Sequence, residues 1–414
     1  MSGRVVAVGA GQAGFQLAAS LRDAGYPGPI LLVGDEPLAP YARPPLSKAY
    51  LSGKADTDAL LFRNASYFAE RGIDLRLGER AIGIDRTAGR VRLASGEALS
   101  YDHLVLATGS RNRVLSVPGA ELDGVVAIRT EADAVGLRTR LPRVRRAAVV
   151  GAGFIGLEFA AVAASTGIAV TVLEATGRPM SRIVSSPTSA FFREAHEAAG
   201  TTFDFGAVVT TVTGQAGRAT GVETDDGRHH PADIVLVGIG VVPNVELASE
   251  AGLAVANGIL VDEYLRTTDP DISAIGDCAS FPAPIRSGTR LRIESVQNAV
   301  DQARMVAARL AGRPVPYAAT PWFWSDQGAT KLQIAGLAGG DDESVLRGDP
   351  SSGAFSVFRF ADGRLTAVES VNRPGDHMLA RRLLARQVAI SPAEAADTSL
   401  DLKARWAGIL SGTV

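Results

Sequence analysis

Apolar residues in this chain gather in short, strand-length runs, and two of those runs open the same pattern. An apolar run at residues 4–8 leads into Gly9-Ala10-Gly11-Gln12-Ala13-Gly14. Phe15, Leu17, Ala18 and Leu21 follow at helical spacing, and a second run at 30–33 closes on Gly34-Asp35-Glu36. The arrangement returns at 147–150 with Gly151-Ala152-Gly153-Phe154-Ile155-Gly156, a helix through Ala164, a run at 169–173 and then Glu174. The spacing predicts two complete βαβ units, each with a glycine fingerprint and an acid about 20 residues further on.

The residue types in that pattern carry specific chemistry. The first glycine allows the tight strand-to-helix turn, the second lets backbone approach a pyrophosphate, and the third brings helix and strand together. Amides at the helix N-terminus then face the phosphates, and the acid accepts hydrogen bonds from a ribose diol. One such motif is weak, but two in full βαβ context point to two dinucleotide sites.

Between the units, residues 81–99 alternate apolar and polar side chains around turns at Thr87-Ala88-Gly89 and Ser95-Gly96, as an antiparallel meander does. Residues 101–110 read as a buried strand ending in the small-residue turn Ala107-Thr108-Gly109. A similar meander (206–228) and strand (233–240) follow the second unit, so that unit reads as inserted into a first domain that resumes near Val241. Residues 314–321 read as a linker. Strands near 331–335, 355–360 and 364–371 then predict a third domain without a nucleotide motif. The predicted fold is α/β: two Rossmann-like dinucleotide-binding domains, 1–113 with 241–320 and 114–240, plus a C-terminal α+β domain at 321–414.

Composition narrows the function. The 414 residues carry a formal net charge of -2, which offers no overall footprint for nucleic acid or an anionic membrane. The apolar runs are too short for a transmembrane helix, and Met1 to Arg4 lead straight into a strand. A cytoplasmic enzyme is expected. Its single cysteine, Cys278, excludes an intramolecular disulfide and a CxxC pair.

Three further segments carry a family resemblance: Tyr41-Ala42-Arg43-Pro44-Pro45-Leu46-Ser47-Lys48, Ile275-Gly276-Asp277-Cys278-Ala279 and Pro321-Trp322-Phe323-Trp324-Ser325-Asp326-Gln327. With the fingerprints, they resemble the glutathione-reductase-type flavoproteins, and more narrowly the NADH-dependent ferredoxin reductases of oxygenase systems. Ala42 departs from that pattern by replacing an acid often found there. The resemblance implies FAD on the first unit, held by Gly9, Gly11, Gly14, Asp35, Glu36, Arg43, Lys48, Ala107, Thr108, Gly109, Asp277, Gln297 and Trp324. It implies NAD on the second, held by Gly151, Gly153, Gly156, Glu158, Glu174 and Gly240. Asp277 follows an apolar strand, at the sheet edge where ligands bind in open α/β sheets; by resemblance it contacts the FAD ribitol. Lys48, Glu158 and Trp324 are the candidates for catalysis: the resemblance pairs Lys48 with Glu158 beside the flavin and sets Trp324 against its ring.

The electron acceptor follows from what the sequence lacks. Disulfide reductases need a thiol pair, and their single-cysteine relatives need sulfur in the loop after the first unit, which here reads Arg43-Pro44-Pro45-Leu46-Ser47. Transfer of single electrons to a separate protein is left. By resemblance the first choice is a [2Fe-2S] ferredoxin serving a cytochrome P450 or a ring-hydroxylating dioxygenase. Rubredoxin- or nitrite-reductase-type acceptors, and a signalling flavoprotein of the apoptosis-inducing type, stay open. Glu174 favours NADH over NADPH, with Arg178 the nearby ambiguity. Arg290, Arg292, Arg304 and Lys403 are candidate docking cations for an acidic ferredoxin, on a chain expected to be a monomer or weak dimer.

Overall fold

The strand Val5–Val8 presents four apolar positions in a row, all of them buried, the pattern of a central strand in a parallel sheet covered on both faces. In the computed structural model, which describes residues 2–283 and 288–407, this strand lies mid-sheet; Met1 lies outside the described residues. The sheet runs in the order Ile272–Ala274, His103–Leu106, Val5–Val8, Ile30–Gly34, Ile73–Leu77, with every neighbour parallel. The chain therefore steps outward on one side of Val5–Val8 and then crosses to the other. That reversal opens a crevice at the carboxyl ends of Val5–Val8 and His103–Leu106, where ligands bind in such sheets.

The second glycine motif heads an equivalent parallel sheet, ordered Thr201–Phe205, Ala169–Glu174, Arg146–Val150, Ile234–Val237, Val125–Val126. An antiparallel meander interrupts the strand succession of each sheet: Ala81–Asp85, Arg90–Leu93 and Ala98–Ser100 come between Ile73–Leu77 and His103–Leu106, and Val209–Gln215, Arg218–Thr224 and His229–Pro231 between Thr201–Phe205 and Ile234–Val237. The last region is a five-stranded antiparallel sheet in the order Trp322–Gln327, Thr330–Gly336, Arg364–Val371, Phe355–Ala361, Glu343–Arg347. Phe358, Phe360, Val368, Leu379 and Leu383 join it to the helix Pro374–Ala385 in one apolar cluster. Two of its strands go beyond the sequence reading. Glu343–Arg347 is an edge strand with mostly exposed side chains and so has little hydrophobic signature. Trp322–Gln327, which in sequence stands out only as a motif, is the other.

The chain divides into two compact units: Met1–Ala42, Thr57–Arg111 and Val241–Ala319 form one, and Arg43–Asp56, Asn112–Gly240 and Thr320–Val414 the other. The Pro-stiffened loop, read from sequence with the first domain, is divided: Tyr41 and Ala42 stay with the first compact unit, and Arg43 onward belongs to the second. Among the described residues, no helix is long and apolar enough to cross a membrane.

Candidate redox and dinucleotide-binding site

The three glycines of the first turn differ in what surrounds them. A Cβ on Gly9, whose φ is +118°, would lie 2.1 Å from the Ala107 carbonyl oxygen, and one on Gly14 would lie 1.9 Å from the Gly9 oxygen. These two glycines are required by the backbone itself. At Gly11 a Cβ would meet nothing within 4 Å, and the backbone there is extended with φ of -83°. The protein thus leaves open space over the second glycine, at the N-terminus of the helix Gln12–Asp23, where free amides and the helix dipole favour a phosphate. The residues fit a dinucleotide pyrophosphate.

Of the residues expected at FAD, Asp35, Glu36, Ala107, Thr108, Gly109, Asp277 and Gln297 lie in the first unit, whereas Arg43, Lys48 and Trp324 lie in the second. Asp35 is exposed, and Glu36 accepts a hydrogen bond from the Tyr41 hydroxyl. The turn Ala107-Thr108-Gly109 is clamped by Asn244, which sequence reasoning missed. Thr108 Oγ1 donates to the Asn244 carbonyl at 2.7 Å, Asn244 Nδ2 donates to the Thr108 carbonyl at 2.8 Å, and Asn244 N donates to the Gly109 carbonyl at 3.0 Å. Asp277 lies in a single helical turn just beyond Ile272–Ala274, its Oδ2 accepting from Ser110 Oγ at 2.8 Å. Gln297 is buried and donates to Asp301 at 2.6 Å. Cys278 is fully buried, with Sγ 3.3 Å from the Ile275 carbonyl, and burial pushes its thiol above the ordinary range. A thiol so placed packs and is chemically quiet.

The second turn repeats the geometry. A Cβ on Gly151 would sit 2.7 Å from the Gly238 oxygen and one on Gly156 2.4 Å from the Gly151 oxygen, whereas at Gly153 the nearest atom is 3.7 Å away. Glu174 ends its strand as expected, with Oε2 accepting from Ala152 N at 2.8 Å and Oε1 from Thr176 N and Oγ1 at 2.9 and 2.8 Å. Arg178 is tied down, its guanidinium donating to the carbonyls of Ser181 and Val184 at 2.9 Å each. Gly240 accepts from Arg113 N at 2.9 Å.

The second unit also joins Lys48 to Glu158. Lys48 Nζ lies 2.7 Å from Glu158 Oε2, and Glu158, on the helix Phe154–Ser165, is only 3% exposed. Ser47 Oγ donates to the same oxygen at 2.6 Å, while Ser325 Oγ donates to Oε1 at 2.6 Å. These two serines carried no signal of their own in the sequence. Arg43 donates to the Arg129 carbonyl at 2.6 Å. Trp324 is partly buried and tilts against Trp322, with ring centroids 5.8 Å apart.

The four docking candidates differ in freedom. Arg304 is 63% exposed and Lys403 is exposed. Arg290 donates to the carbonyls of Val261 and Ser280. Arg292 is only 10% exposed, pairs with Glu294 at 2.6 Å and donates to the Asp277 carbonyl at 3.2 Å.

Comparison with known proteins agrees with this geometry. Residues 3–303 match the family described as pyridine nucleotide-disulphide oxidoreductase, and residues 322–406 match reductase C-terminal. The chain is 53% identical over 399 residues to rhodocoxin reductase of Rhodococcus erythropolis, covering 96% of this chain and 93% of that one. It superposes with a TM-score of 0.95 on the ferredoxin reductase for the CYP199A2 system from Rhodopseudomonas palustris, at 50% identity, covering 97% of this chain and 99% of that one. With the covalent putidaredoxin reductase-putidaredoxin complex the TM-score is 0.94, at 40% identity and 99% and 98% coverage. Twin glycine turns, a C-terminal sheet and a Lys-Glu pair with a buried glutamate thus coincide with similarity along nearly the whole chain: it belongs to the pyridine nucleotide-disulphide oxidoreductases, in the ferredoxin-reductase branch with a reductase C-terminal domain.

Proposed function

We propose that this chain is an FAD-dependent reductase that oxidises NADH and passes electrons singly to a [2Fe-2S] ferredoxin, which supplies a cytochrome P450 or ring-hydroxylating dioxygenase. When bound, FAD supplies the step between a two-electron hydride donor and a one-electron acceptor. The observation that carries the reading is the Lys48–Glu158 pair, its glutamate buried and its lysine at the end of the sulfur-free loop 43–47, while Cys278 is sealed in the core. In this reading residues 1–113 with 241–320 bind FAD, 114–240 bind NADH, and 321–414 form the acceptor-side domain of a cytoplasmic enzyme, monomeric or weakly dimeric. The fingerprint amides hold the two pyrophosphates, Asp277 and Gln297 orient the flavin, Trp324 flanks its ring, and Lys48 offers it a positive charge. Reduction of cytochrome c by NADH should depend on an added [2Fe-2S] ferredoxin. Equal rates with rubredoxin, or no dependence on either carrier, would remove the ferredoxin assignment.

Preference for NADH rests on Glu174, whose carboxylate favours a free 2′-hydroxyl and repels a 2′-phosphate. Arg178, with both terminal guanidinium nitrogens donating to backbone carbonyls, supports that preference. Glu174→Ala should narrow the NADH-over-NADPH ratio of kcat/KM, an effect on the order of 1–3 kcal/mol. A wild-type enzyme with higher kcat/KM for NADPH would sink the assignment.

Docking of an acidic ferredoxin is electrostatic in this proposal, through Arg290, Arg292, Arg304 and Lys403. The exposure of Arg304 favours it as the leading contact, and the burial of Arg292 favours a role beneath the surface. Exposed pairs contribute about 0.2–1 kcal/mol each and are screened over roughly 10 Å at 0.1 M salt. Ferredoxin reduction should therefore fall steeply with added salt, while ferricyanide reduction changes little. Arg304→Glu should raise KM for ferredoxin and leave KM for NADH alone. The same flat salt response with both acceptors would replace charge steering with an apolar contact around Trp324.

A further inference from the structure

Glu158 is held from two sides, and the side away from Lys48 leads through the C-terminal sheet. A carboxylate only accepts, so Ser325 must direct its single proton to Glu158 Oε1. The Ser325 oxygen then accepts from Gln327 Nε2 at 3.3 Å, and Gln327 Oε1 accepts from His196 Nε2 at 2.9 Å. Ser325 and Gln327 stand two residues apart on the strand Trp322–Gln327 and so share one face. Glu158, Ser325, Gln327 and His196 are all buried, the last on the helix Ser186–Ala198. Every hydrogen bond in the series points the same way, toward Glu158, and such bonds polarise one another. Burial pulls the His196 imidazole below its ordinary range, so it donates without adding a second buried charge.

We infer that Ser325, braced by Gln327 and His196, is a positioning residue that fixes the Glu158 carboxylate so that Oε2 faces Ser47 and Lys48. The C-terminal sheet thereby governs the orientation of the ion pair, in addition to any part it takes in meeting the acceptor. The inference rests on the proposed reading of Lys48 and Glu158 as the charge pair beside the flavin.

In the flavin-loaded enzyme, Ser325→Ala should slow flavin reduction by NADH on the order of tenfold, as loss of orientation does, with KM for NADH unchanged. It should also move the flavin midpoint potential in the same direction as Lys48→Met. Ser325→Thr keeps the hydroxyl and should restore both. In a Glu158→Gln background, adding Ser325→Ala should shift the potential no further, because the charge that the hydroxyl orients is gone. Should Ser325→Ala not fold, Gln327→Met breaks the series one bond further out and should give a smaller shift of the same sign. Unchanged rate and potential in these variants, with Lys48→Met still altering both, would overturn the positioning role. If Lys48→Met alters neither, the redox assignment of the pair fails first and takes the positioning role with it. The Lys48 variant thus tells the two failures apart.

Discussion

Replacing Gly11 with valine should give a soluble, folded protein that purifies without the yellow colour of the wild type, which should carry one non-covalent FAD per chain. No protein atom lies within 4 Å of a Cβ placed at Gly11, and the backbone there is one that any residue adopts, so folding has no objection to the side chain. The space it would fill is the space over the fingerprint amides that a pyrophosphate needs. Gly9→Val and Gly14→Val make the contrast. Their side chains would drive into the carbonyls of Ala107 and Gly9, so these variants should fail to accumulate as folded protein. Absorbance near 450 nm together with thermal unfolding of the purified proteins separates the two kinds of loss. A Gly11→Val protein with full flavin content would move FAD away from the first unit.

Lys48→Met should retain FAD yet reduce it on the order of a hundredfold more slowly, the scale of losing one preorganised charge-stabilising donor. The midpoint potential should fall, because a cation beside the flavin favours the negative charge that reduction brings. Stability should suffer as well. Glu158 is 3% exposed, and removing its cation leaves a buried charge held by the hydroxyls of Ser47 and Ser325. Breaking one side of a buried pair costs about 3–5 kcal/mol, and the partial exposure of Lys48 with the hydroxyls of Ser47 and Ser325 holds this case to the low end. Adding Glu158→Gln to Lys48→Met should recover much of that stability without restoring the rate. Stopped-flow reduction by NADH, a redox titration and urea unfolding read the three effects. Wild-type reduction kinetics in Lys48→Met would return Lys48 to an ordinary loop cation.

The site was legible in the sequence wherever its chemistry is local. Gly9 turns at a positive φ, Gly14 stands against the Gly9 carbonyl, Glu174 ends a strand, and Asp277 follows one; each of these is set by a few neighbouring residues and shows in the pattern. The pairing of Lys48 with Glu158 was available too, but only through family resemblance, since a separation of 110 positions in sequence holds no rule for contact. Their remaining partners could not be read at all. Ser47 and Ser325 reach Glu158 across 111 and 167 residues, and Asn244 clamps Thr108 across 136. Serine and asparagine are common surface residues, and nothing in their local surroundings distinguishes a buried donor from a solvated one.

Charge shows the same division. The sequence lists Arg290, Arg292, Arg304 and Lys403 as equal cations, whereas folding leaves Arg304 in solvent and closes Arg292 against Glu294 and the backbone beneath Asp277. By itself the sequence determined the two βαβ units and the absence of a thiol pair, because periodicity, backbone sterics and residue identity are properties of short segments. The tertiary structure alone decided which hydroxyls face the buried carboxylate, which arginines keep their charge exposed, and that the loop 43–56 packs with the second unit. Those outcomes depend on desolvation, and a side chain's loss of water is fixed only when distant segments close around it.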